Sequence, residues 1–165
     1  MQAKKLLSLA CGALMLPMSA WADDDTMMVS VKRLTMDVAV KVAQGAVDAC
    51  RKQGIQIAAT VVDRDGVVQA QLRDTIAAPI TVPISKMKAY TAVNFNAATS
   101  ALGGRADTPI GRIDGLVMSA GGLPIQVGGS LVGGVGVSGA PSGVTDEECA
   151  QAGIDVVMDD LQMAM

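Results

Sequence analysis

Three stretches carry residue types that could do chemistry. Asp63-Arg64-Asp65-Gly66 and Asp146-Glu147 pair carboxylates, and Gly133-Gly134-Val135-Gly136 gathers glycines as a phosphate loop would. Two carboxylates in different surroundings can divide acid and base roles in hydrolysis. The setting of each pair gives it a plainer role. Asp63 and Asp65 read as turn residues ahead of a glycine, and a calcium loop needs more alternating oxygen ligands. Asp146 and Glu147 fall at a helix start, where carboxylates meet the positive end of the dipole. The glycines lie inside an apolar, strand-like run, whereas a nucleotide loop sits between a strand and a helix. The chain contains no histidine. That removes the commonest metal ligand and proton shuttle, and with it any serine or cysteine nucleophile that depends on an imidazole base. Met27, Met28 and Met36 are scattered and read as packing residues, not a copper site.

The 165 residues suffice for one domain with a real core. Lys4 and Lys5, an apolar run from Leu6 to Leu16 and the A-x-A pattern Ala20-Trp21-Ala22 have the form of a secretory signal peptide over 1–22, the run being too short to span a bilayer. The expected protein is periplasmic or secreted, with a leader over 23–33 and a single domain over 34–165. Cleavage after Ala22 removes two lysines and no acid, so the mature chain is more negative than the −3 of the whole sequence. With no basic cluster, nucleic acid is a poor partner, and no later apolar run is long enough to span a membrane. Cys50 and Cys149 remain. An oxidising compartment permits one disulfide between them, yet each also lies on an apolar helical face, where a cysteine serves as a small core residue.

Periodicity and turn signals set out the elements. Thr35 can cap a helix whose apolar positions Val38, Val42, Ala46, Ala49 and Cys50 recur at helical spacing up to Gly54. Two strands flank the turn at Asp63–Gly66. After the Pro-punctuated loop 77–83 a helix places Ile84, Met87 and Tyr90 on one side, with Lys86 and Lys88 elsewhere on its surface. A short helical segment over 97–102 precedes an irregular stretch, 105–115. Gly128-Gly129 joins two strands as a hairpin turn, and glycines within the second mark a close approach of another backbone or a ligand. Thr145 and Glu148 fit a capping box for a last amphipathic helix. Antiparallel hairpins between helices make an α+β domain.

Three blocks together resemble a known family: Val61-Val62-Asp63-Arg64-Asp65-Gly66; Lys88-Ala89-Tyr90-Thr91-Ala92-Val93 with Thr99-Ser100; and Gly121-Gly122-Leu123-Pro124-Ile125 continuing through Gly134–Gly143 to Asp146-Glu147 and Ala152-Gly153. The sequence is similar to the GlcG/HbpS family, also met as a domain beside some cobalamin adenosyltransferases. The resemblance implies a profilin-like antiparallel sheet flanked by helices and a homo-oligomer, octameric in secreted haem-binding members. It implies haem binding, with haem degradation or redox sensing in part of the family, and partnership with a sensor kinase in some members. In secreted haem-binding members a threonine oxygen in the loop before the Gly-Gly-x-Pro hairpin meets the iron, and the matching residue here is Thr108. Other relatives use histidine, which this chain lacks.

A haem site needs an axial ligand, an apolar slot and cationic groups for the propionates. Thr108 is the first candidate metal ligand and Tyr90 the second, with Met87 and Met118 behind them. Arg105 and Arg112 flank the loop and could pair with propionates, and Lys88 is a further candidate contact or else a solvated helix residue. Two other readings stand beside this one. The chain could be a non-haem accessory module binding a small organic ligand between Tyr90, Ser138 and the glycine backbone, or a purely structural partner.

Overall fold

The computed structural model describes residues 27–165. The expected signal peptide, and the leader up to residue 26, lie outside the described residues. The domain proper runs from Val31 to Met165. Helix α1 spans Met36–Lys52, β1 Ala58–Asp63, β2 Val68–Arg73, α2 Thr81–Phe95, β3 Gly122–Val127, β4 Ser130–Ser138 and α3 Gly143–Met163. Two short 3-10 segments, Thr99–Arg105 and Pro109–Arg112, occupy the connection between α2 and β3. The four strands form one antiparallel sheet in the order β2-β1-β4-β3, and the α+β expectation holds.

Local chemistry accounts for most boundaries. The Thr35 hydroxyl accepts the Val38 N–H at the start of α1, and Gly54, with φ +73°, takes the chain out of it. Gly128 and Gly129 turn β3 into β4 with φ of +54° and +78°, the left-handed pair that a tight hairpin needs. Two boundaries differ from expectation. Helix α2 begins before Pro83 rather than after it, because a proline in the first turn forfeits an N–H that has no helical partner there. Helix α3 begins at Gly143, capped by the Ser142 hydroxyl receiving the Thr145 N–H at 3.1 Å. Thr145 and Glu148 therefore do not form the expected capping box.

Helices α1 and α3 pack together and cover one face of the sheet, burying Val42, Ala46, Val61, Val135, Val137, Ile154 and Val157. Cys50 and Cys149, both fully buried, form a disulfide that joins these two helices across 99 positions of sequence. Helix α2 lies on the opposite face. It packs its main chain against β4, because Gly134 and Gly136 present no side chains there. A Cβ on Gly136 would lie 2.1 Å from the Ser85 carbonyl and 2.4 Å from the Ala89 nitrogen. The close approach inferred for the glycine-rich strand is thus that of another backbone.

Candidate functional site

With α2 seated so deeply, one edge of it stands clear of the sheet and walls a half-open cleft of about 340 Å³. Pro83, Lys86, Met87 and Tyr90 line it from the helix, and Asp114 and Gly115 from the irregular loop. Spacings of three and four residues bring these four helical positions onto one face. That spacing was the available sequence signal for Pro83 and Lys86. Asp114 and Gly115 had none, since only the path of the loop brings them across. Nothing lies within 4 Å of where a Gly115 side chain would begin, so the cleft opens beside it.

Tyr90 is 36% exposed. Its ring lies beside Gly66, where a Cβ would stand 2.6 Å from Cδ2 and 2.8 Å from Cε2. Gly66 sits at φ +84° in the Asp63–Gly66 turn, which Asp63 organises. The Asp63 carboxylate accepts the Asp65 N–H at 2.9 Å and the Val67 N–H at 3.0 Å. Its other oxygen accepts from Arg33 at 2.5 Å, and the second Arg33 amino group donates to Asp65. Arg33, the last residue of the expected leader, is thus bound to the domain.

The structure brings only part of the expected ligand set together. Thr108, partly buried, donates its hydroxyl to the Arg105 carbonyl at 2.7 Å within the loop and does not line the cleft. Arg105 lies 5.8 Å over the Phe95 ring, within cation–π range. Arg112 donates to the Asp107 carbonyl at 3.3 Å. Met118 is buried, whereas Met87 joins Tyr90 in the cleft.

Lys88 is neither solvated nor in the cleft. It is 4% exposed, and its ammonium donates to the Val137 carbonyl at 2.9 Å and to the Asp146 carboxylate at 2.8 Å. Burial raises the Asp146 carboxyl, while the Lys88 ammonium and the Ala140 N–H pull it back. Gly121 makes room for the ammonium, since a Cβ there would lie 2.6 Å from Nζ. Beside it Thr99 accepts the Gly122 N–H at 2.8 Å, and Glu147 accepts from Ser100 at 2.8 Å and from the Gly121 N–H at 3.2 Å. Lys88, Thr99-Ser100, Gly121-Gly122 and Asp146-Glu147 therefore converge on one polar node that ties α2, β3, β4 and α3 together. Ser138 is buried and the glycines are covered by α2, so neither joins Tyr90 in a small-ligand pocket. Among the described residues no cluster of three or more acidic, cysteine or histidine side chains could hold a metal ion. None of the described helices is long and apolar enough to cross a membrane.

An antiparallel sheet between two helical layers, with a half-open cleft beside one helix, defines a small α+β domain. A family model described as haem degrading protein HbpS-like matches residues 34–155, and the chain belongs to that HbpS-like family. The crystal structure of HbpS is 39% identical, covers 79% of this chain and 94% of its own, and superposes with a TM-score of 0.75. A double mutant of Streptomyces reticuli HbpS is 37% identical, over 88% of this chain and 99% of its own, with a TM-score of 0.75. The PduOC:Heme complex shares the fold, with 24% identity over 75% of this chain and 94% of its own and a TM-score of 0.70. No curated protein matches the chain. The family and these neighbours make this a haem-related protein.

Proposed function

We propose that this protein is an exported, oligomeric haem-binding subunit, in which the residues of the cleft between α2 and Asp114-Gly115 would hold the haem. The observation that carries the reading is the composition of that cleft. A proline ring, a thioether and a phenol give it apolar walls, and Lys86 places a cation at the rim. Groups of these types suit one face of a porphyrin, with the Asp114 carboxylate also on the lining. Lys86 can pair with a propionate, and the Tyr90 oxygen is a known type of axial donor. Haem, when bound, would supply the iron chemistry, and Pro83, Lys86, Met87 and Tyr90 would hold and orient it. Thr108, in the loop that the family resemblance singles out, is the alternative donor. Its proton is already committed to Arg105, so an oxygen lone pair remains for a metal. Arg105 and Arg112 stand on the same loop as further propionate partners. Export is supported by the A-x-A pattern and by a disulfide that an oxidising compartment would preserve. A homo-oligomer and a sensor or enzyme partner are part of the same proposal.

Hydroxyl donors bind haem iron less tightly than imidazole, so we expect micromolar affinity, about −8 kcal/mol. Hemin titration should give a saturable Soret band whose Kd Tyr90→Phe raises about tenfold, or about 1.4 kcal/mol, and Thr108→Ala much less. The reverse order would assign the iron to the loop hydroxyl, and no saturable band in the wild type would end the reading. Addition of a reductant in air would then bleach the band if the bound haem is degraded, and leave it if it is only held. One observation favours a second reading. Lys86 and Asp114 place opposite charges on the same cleft, which suits a small zwitterionic molecule. A thermal shift with amino acids and none with hemin would select it.

A further inference from the structure

We propose that the Asp63–Gly66 turn, locked by Arg33, is the positioning element for the Tyr90 phenol. This rests on the haem reading of the cleft, but its geometry is independent of any ligand. A tyrosine on an exposed helix edge has several staggered rotamers open to it. Here the ring fills the space where a Gly66 side chain would begin, and the Asn94 amide, which donates to the Tyr90 carbonyl at 2.8 Å, stands beside the same glycine. Only a glycine permits this contact. Any side chain at 66 would displace the ring, and φ +84° disfavours other residues as well.

The turn is itself held from a distance in sequence. Arg33 binds both Asp63 and Asp65 in the fork geometry that suits a guanidinium. Asp63 fixes the turn through two N–H bonds, and the Gly66 N–H donates to the Asp63 carbonyl at 2.9 Å. Arg33 thus reaches Tyr90 through three linked contacts without touching the cleft, whose lining residues do not include it. Asp63 and Asp65 are positioning residues in this arrangement and not acid–base catalysts.

Tyr90 is the single tyrosine of the chain, so 3-fluorotyrosine labelling yields one ring resonance. In the ligand-free full chain we expect that signal to shift and broaden in Gly66→Ala and in Arg33→Gln, with Arg33→Lys intermediate. With hemin, the same two variants should raise Kd about tenfold and weaken any phenolate-to-iron charge-transfer band, while Tyr90→Phe abolishes that band. Arg33→Gln alters a half-exposed side chain and keeps the test sound if Gly66→Ala fails to fold. An unchanged fluorine signal in Arg33→Gln would overturn the proposal whatever hemin does. A shifted signal with no hemin binding, even by the wild type, would uphold the positioning and refute the haem reading alone.

Discussion

A lysine ammonium taken out of water keeps its charge only where protein groups replace its hydration. Lys88 has the Val137 carbonyl and the Asp146 carboxylate for this purpose. Replacing it with methionine leaves the carboxylate buried without its cation, a loss of roughly 3–5 kcal/mol. The urea midpoint of Lys88→Met should fall accordingly, and adding Asp146→Asn should restore part of the loss, since an amide carries no charge to strand. Asp74 shows the opposite sign of shift from Asp146. Arg51 donates to it through Nε at 2.7 Å and Nη2 at 2.9 Å, and this pairing holds its carboxyl below the usual range. A depressed carboxyl stabilises the fold fully above the ordinary aspartate value of about 4 and loses that contribution as pH falls through the folded value. Urea midpoints measured below about pH 4 should therefore drop more steeply in the wild type than in Asp74→Asn.

At the level of elements, the contact between α2 and β4 governs the site, since it sets how far the outer edge of α2 stands from the sheet. Gly136→Ala places a methyl group where the Ser85 carbonyl and Ala89 nitrogen now lie. Neither group can give way, because both belong to the helix main chain. We expect a loss of about 3 kcal/mol, read from the midpoint of thermal or urea unfolding, together with an altered Tyr90 cleft. Gly129→Ala is the comparison within the same hairpin. Nothing lies near its missing side chain, so only the positive φ of +78° is at issue, costing about 1–2 kcal/mol.

For the molecule as a whole, the disulfide between α1 and α3 is a covalent constraint across 99 positions of sequence. It ties the first helix of the domain to the last and so limits the unfolded chain over 99 of its 165 residues. A loop of this size is worth several kcal/mol in the chain-entropy account. Cys50→Ala with Cys149→Ala should lower the unfolding free energy by roughly 2–5 kcal/mol, with intact mass confirming the bond in the wild type. The helix faces that meet there stay apolar without it, so the variant should keep its circular dichroism spectrum at low temperature.

Apolar spacing and turn residues determined the elements and their class. Thr35, Gly54, Gly66 and the Gly128-Gly129 pair each impose a local conformation whatever surrounds them, and the absence of histidine excluded whole classes of chemistry before any fold was known. The family resemblance was legible in Lys88, Gly121-Gly122 and Asp146-Glu147, but their role was not. A lysine and an aspartate 58 positions apart carry no local sign of being one buried pair. Only the packing of α2 onto a strand stripped of side chains brought Lys88 inward, turned Tyr90, Met87 and Lys86 outward, and carried Asp114 across to face them. Burial and cross-chain contact depend on how the elements stack, and that is decided by long-range packing, not by any one stretch of residues.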